Sequence, residues 1–396
     1  NLQSRGFYFQ PREWEEQEPL GLEAYYEQLR AIFSNIVPRY FAGDHPVGVS
    51  LTGGLDSRMI MSWLKAPAGT VPCFSFGGPF RDCRDVTVAR SVARSCGQAH
   101  QTIRVGDEFL SRFPHYSERT VYLTDGCVPV AHSPDLYANE IARQISPVRM
   151  TGNYGGEVLR SIRAFKSIPP LPGLFSTDLS TFFAQAGQTY NSLIDVHPLS
   201  FSVFRQAPWH HYGLLSLEET QLALRSPYLD NALVKLVFRA PHSTLDNNDI
   251  SLRLIRDGDH ALSRIATDRG YIANPGLAAQ LREQYQEFTF KAEYAYDYGM
   301  PQWVARVDHA FSSLHFERMF LGRHKFYHFR VWYRDALSTY VREMLLDPRT
   351  LSRPWLQRRT VESIVHAHTH GTGNFTVPIH KLLTLEHLHR LFIDAR

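Results

Sequence analysis

The spacing of apolar residues changes its period several times along the first half of the chain. In "PVGVSLTGGLDSRMIM" (Pro46 to Met61), Val47, Val49 and Leu51 read as a short buried strand of β-favouring residues. Gly53 and Gly54 break that run, because glycine permits close backbone approach and positive φ. From Arg58 onward, Met59, Ile60, Met61, Trp63 and Leu64 read as the buried side of a helix. "VPCFSFGG" (Val71 to Gly78) is a second apolar run that ends on two glycines. "RDVTVARSVARSC" then carries Val86, Ala89, Val92 and Ala93 at helical spacing, and "HQTIRV" (His100 to Val105) returns to a strand. "SPVRMTGNYGGEVL" repeats the order of strand, glycine turn and helix. Strands separated by helices predict a parallel, twisted sheet with helices on both faces and right-handed crossovers. From about Leu214 helical patterns dominate, as in "SLEETQLALRSPYLDNALVKLVFRAP". The expected architecture is an α/β core over about 22–200, then a mainly helical lobe over about 201–396. Residues 1–21 read as a strand remnant and linker.

Composition narrows the class without choosing a function. With 396 residues, 43% hydrophobic and 20% charged, the chain can build a large core and more than one lobe. A formal net charge of +3 argues neither for nor against nucleic acid. No apolar run approaches the roughly 18 residues of a membrane span. The N-terminus lacks a signal-peptide core. Cys73, Cys83, Cys96 and Cys127 form no CxxC pair, so they read as free thiols of a reducing cytoplasm.

The first glycine turn carries the sharpest chemistry. A strand, a tight turn and a helix N-terminus bring free N–H groups and the positive end of the helix dipole to one point. No Gly-Lys-Ser/Thr follows, so this is not the Walker form, and the spacing is not a dinucleotide fingerprint. Two glycines with Thr52, Asp56 and Ser57 suit a pyrophosphate: the hydroxyls can donate to it, and Asp56 can hold a bridging Mg²⁺. Ligands in such sheets bind at the carboxyl ends of the strands. The loops at Thr52, Phe76 and Thr151 all lie there.

Two other stretches have plainer readings. "ERMFLGRHKFYHFRVWYRDAL" (Glu317 to Leu337) offers rings on which bases could stack, but reads better as core rings with basic groups snorkelling to water. "HAHTHGTGN" (His366 to Asn374) spaces its imidazoles on alternate residues, which do not share a helix face, so a polar helix end is favoured over zinc.

Three motifs together resemble the C-terminal synthetase domain of the asparagine synthetase family. "SLTGGLDSRMI" is similar to its Ser-Gly-Gly-Leu-Asp-Ser loop, "VRMTGNYGGEVLRS" stands at its second motif, and "LRSPYLDNALVKLVFRAP" resembles its Arg-x-Pro-Phe-Leu-Asp segment. The resemblance runs from about Leu22 to the last helix. It implies an adenine nucleotide alpha-hydrolase-like, PP-loop fold and ATP-dependent amide formation. A carboxylate is adenylated, Mg²⁺-bound pyrophosphate leaves, and ammonia or an amine attacks. It also implies that Leu51, Phe76, Thr151 and Gly152 hold adenosine, and that Thr52, Gly53, Gly54, Leu55, Asp56 and Ser57 cradle pyrophosphate. Asp56 matches the Mg²⁺ ligand, Glu157 is a second candidate for metal contact and catalysis, and Arg269 in "TDRGYI" stands nearest to a transition-state lysine. The chain departs from the pattern at Asn153 and Gly156, where the family has Glu and Asp, and at Leu252, where it has Lys. Residue 1 is Asn, and no glutaminase domain with a first-residue cysteine stands before the loop in this sequence. Two alternatives therefore stay open: the chain is a fragment of a longer protein, or ammonia or an amine comes from elsewhere, as from a glutaminase domain or subunit not in this chain. A second copy, as a homodimer, is a candidate partner. Two further readings stay open: a degenerate nucleotide-binding homologue with a regulatory or partner role, and a nucleic-acid-modifying PP-loop enzyme.

Overall fold

The computed structural model describes residues 6, 9–162, 168–272, 277–311, 317 and 321–394. Asn1 and part of the expected strand remnant lie outside them. Five strands, β1 (Val47–Ser50), β2 (Cys73–Gly77), β3 (His100–Arg104), β4 (Val148–Met150) and β5 (Ala223–Arg225), form one sheet in the order β3-β2-β1-β4-β5. All neighbours are parallel, with Val49 opposite Cys73 and Met150 on its two sides. The order reverses at β1, because β2 and β4 flank it. A crevice at such a point is where an open parallel sheet takes a ligand.

Period-two alternation divides the core between the two faces. Val47, Val49, Cys73, Val148 and Met150 join one buried cluster with the helices Leu22–Phe41, Asp56–Trp63 and Arg84–Ser95. Phe74 and Ile103 point into a second cluster with Phe113–Thr124, Ser133–Ile145 and the C-terminal helices Ser338–Leu345, Arg358–Thr369 and Thr376–Leu388. The remainder of the chain is mostly helical, as the pattern predicted. The exception is β5, which lies past residue 200 inside a stretch whose pattern reads as helix. A three-residue strand is too short to display a period.

Where it is described, the basic, aromatic stretch is largely core, and two of its cations, Lys325 and Arg330, are buried rather than snorkelling. Phe329, Trp332 and Tyr333 are buried. Lys325 Nζ meets Asp297 Oδ2 at 2.5 Å, under the rings of Tyr294, Tyr298 and Tyr327. Arg330 pairs with Asp308 at 2.7 Å. In "HAHTHGTGN", His368 is buried and its Nδ1 accepts the Phe375 N–H at 2.9 Å, while His366 and His370 are exposed. Among the described residues no helix is long and apolar enough to cross a membrane.

Candidate functional site

The turn after β1 is folded by its own side chains. Ser57 Oγ accepts the Thr52 N–H at 3.1 Å, and Thr52 Oγ1 accepts the Gly54 N–H at 3.3 Å. Asp85, from the first turn of the helix after β2, accepts the Gly53 N–H at 2.7 Å. Arg58 is buried beneath the turn and donates to the carbonyl of Gly53 at 3.2 Å and to those of Ile265 and Ala266. The Asp268 N–H donates to Gly53 O at 3.1 Å. These bonds fix the segment of Asp268 and Arg269 beside the glycine turn, although more than 200 residues separate them in sequence.

The turn after β4 closes the opposite side. It needs glycine where it meets Asp56: a Cβ on Gly155 would lie 2.5 Å from Asp56 Cγ, and one on Gly152 2.7 Å from Ser57 N. Tyr154 takes a left-handed conformation with φ 71°, which costs of order 1 kcal/mol or more for a residue other than glycine. The third motif serves as scaffold. Tyr228 is buried and donates its hydroxyl to Asp56 O at 2.7 Å, Arg225 binds the carbonyls of Tyr40 and Ala42, and Asp230 caps the helix Asn231–Val237.

Between the turns lies a cavity of about 650 Å³. Thr52, Gly54, Leu55, Asp56, Gly152, Glu157 and Arg269 all line it, so the structure brings most of the sequence-selected residues together. Gly53, Ser57 and Thr151 are buried just behind its wall. Leu51 and Phe76 do not face it. Leu51 is core, and the Phe76 ring packs 5.9 Å from Phe326, under the Arg149 guanidinium. Sequence reasoning missed Arg160 and Asp85, which also line the cavity. Asp85 had a usable signal, an acidic first turn at a strand's carboxyl end. Arg160 had none.

Charge in the cavity is arranged in two groups. Arg160 Nη2 donates to both oxygens of Asp56, at 2.7 and 2.9 Å. Burial still raises the Asp56 pKa against that partner. Burial, and then the neighbouring Asp56, raise that of Glu157. In the second group, burial and then the adjacent Asp268 push Asp85 up to about 7, and burial raises Asp268 as well. Arg269 lies beside this pair with its guanidinium 4.1 Å over the Phe290 ring. Mg²⁺ prefers six oxygens in octahedral geometry. Both Asp56 oxygens are engaged by Arg160, and no group of three or more His, Cys, Asp or Glu among the described residues is placed to hold a metal. Of the expected metal contacts, Asp56 is thus held by Arg160, and Mg²⁺ in such sites is bound by one or two carboxylates together with substrate phosphates.

The parallel sheet and its glycine turn at the switch point define an α/β fold of the PP-loop class. The asparagine synthase family model matches residues 28–189, so this stretch is similar to the asparagine synthase family. Over 117 residues, 26% of this chain, the sequence is 29% identical to the glutamine-hydrolysing asparagine synthetase of Bos taurus. The match covers 21% of that protein, so the chain spans about a fifth of the relative's length.

Proposed function

We propose that this protein forms an amide bond at the expense of ATP, by adenylating a carboxylate and passing it to ammonia or an amine. The supporting observation is the convergence of the two glycine turns and Arg269 on one cavity at the switch point of the sheet. A carboxylate is a poor electrophile. Joining it to AMP with loss of pyrophosphate creates a mixed anhydride that an amine can open. Such chemistry asks the protein mainly to position the reactants and neutralise phosphate charge. On this reading the Thr52–Ser57 turn receives the pyrophosphate portion of ATP, through N–H groups now held by Ser57, Thr52 and Asp85. Burial and the neighbouring Asp268 raise the Asp85 pKa, and its protonated form can donate a hydrogen bond to a phosphate oxygen. Arg269 neutralises charge on the departing pyrophosphate, and the Phe290 ring keeps its guanidinium in place. Exchange of labelled pyrophosphate into ATP that depends on an added carboxylate tests the proposal. A panel of amino-acid and peptide carboxylates should contain at least one that supports exchange; none doing so would refute it.

The second reading, a nucleotide binder without turnover, draws on the Asp56–Arg160 pair and on Asn153 and Gly156 in the second turn. ATP binding by calorimetry without any carboxylate-dependent exchange is its signature.

A further inference from the structure

We propose that Arg160 is the fixed cation of the polyphosphate site and takes over charge neutralisation that a divalent metal would otherwise supply at Asp56. The inference rests on reading the cavity as a polyphosphate site. Asp56 stands at the start of the helix Asp56–Trp63, directly after the glycine turn. Its two oxygens are gripped by a single nitrogen, Arg160 Nη2, at 2.7 and 2.9 Å, in charge-assisted hydrogen bonds. Three residues hold this pair. Gly155 lacks the Cβ that would strike Asp56, Tyr228 anchors the Asp56 carbonyl, and Ser251 accepts from Arg160 Nη1 at 3.0 Å. A Cβ on Gly156 would meet Arg160 Nη2 only at an ordinary contact distance of 3.4 Å and would press mainly on Ile162 Cδ1, at 3.1 Å.

The Arg160 side chain is 11% exposed and lines the cavity. A guanidinium carries more donors than these contacts use, so it can bind phosphate oxygens while it stays on Asp56. A metal ion at Asp56 would have to displace Arg160 or sit against a positive charge already bonded to both oxygens. Without either cation, a polyanion entering the cavity would face the Asp56 and Glu157 carboxylates unscreened. The pair therefore makes the turn attractive to phosphate in the absence of metal.

The test is calorimetric titration of ATP and of inorganic pyrophosphate into the full chain, once with excess EDTA and once with Mg²⁺. The parent protein should bind both ligands in EDTA, and Mg²⁺ should improve affinity by less than about threefold. Arg160→Met should weaken binding in EDTA by roughly thirtyfold, the size of a charge-assisted contact, and Arg160→Lys should lose less. In Mg²⁺ the Met variant should recover part of the loss, because Asp56 is freed for the ion. Binding by the parent only when Mg²⁺ is present overturns the role of Arg160 and leaves the polyphosphate site standing. That measurement needs no variant, so poor folding of Arg160→Met does not block it. Unchanged or tighter binding by a folded Met variant in EDTA also overturns it. No binding of either ligand in either buffer refutes the polyphosphate site itself.

Discussion

The turn after β1 contains two glycines and the turn after β4 three, and they use them differently. The first, from Thr52 to Ser57, holds its own N–H groups with exchangeable partners: two hydroxyls and the Asp85 carboxylate. The second, from Thr151 to Glu157, makes room. Gly152 and Gly155 let its backbone lie against Asp56 and Ser57, and the left-handed Tyr154 bends the chain away. One turn presents donors; the other sets how closely the wall behind them can approach. Similar sequence signals at neighbouring strand ends thus encode two mechanical roles, and the difference lies in what a Cβ would strike.

The largest expected effect is at the second turn. Gly155→Val places carbon atoms inside the Asp56 carboxylate. It should destabilise the fold by about 3 kcal/mol or more in urea titrations, as overpacking at a rigid contact does, and nucleotide binding should vanish. Stability within about 0.5 kcal/mol of the parent would show that the turns are not pressed together. Tyr228→Phe removes the hydroxyl that ties the third motif to the Asp56 carbonyl. A loss of about 1 kcal/mol is expected, the usual net value of a buried hydrogen bond; no change would reduce that residue to packing.

Asp85 sharpens the comparison through pH. Its pKa is about 7 in the fold, against an ordinary carboxylate value of about 4 when unfolded. The folded chain therefore binds more protons than the unfolded chain between those values. The stability linked to Asp85 is complete below about pH 4 and is lost as pH rises through about 7. Asp85→Asn keeps an acceptor for the Gly53 N–H and removes this dependence. Near pH 8 the ligand-free variant should melt a few degrees above the parent by circular dichroism, and the gap should shrink on acidification. A gap that widens toward acid would reverse the sign of the account. The smallest effect is at Gly54, where an added Cβ meets nothing nearer than Thr52 Oγ1 at 3.5 Å. Gly54→Ala should stay within about 0.5 kcal/mol of the parent.

Much of this arrangement was legible in the sequence where it is local. β1 to β4, the helices Asp56–Trp63 and Arg84–Ser95, and the turns between them follow from period and glycine placement. β5 was not legible, because an edge strand of three residues inside a helical pattern carries no period of its own. The residues that reach Asp56 from afar were hidden for a different reason. Arg160 reaches Asp56 across 104 positions, and Tyr228 reaches it across 172. Their roles depend on which side chains the sheet brings together, and no local spacing records that. Leu51 and Phe76 show the converse. Their place at strand ends was legible, yet alternation along β2 turns the Phe76 ring toward Phe326, away from the cavity.

The position of ATP in the cavity is the central claim. A crystal structure of the full chain with a non-hydrolysable ATP analogue is the most direct measurement. It should place the β- and γ-phosphates on the turn from Thr52 to Ser57, within about 3 Å of its N–H and hydroxyl donors, with Asp85 released from Gly53. The Arg160 guanidinium should contact a phosphate oxygen while still paired with Asp56. A nucleotide bound elsewhere on the molecule, or one in the cavity with its phosphates turned away from that turn, would contradict the account.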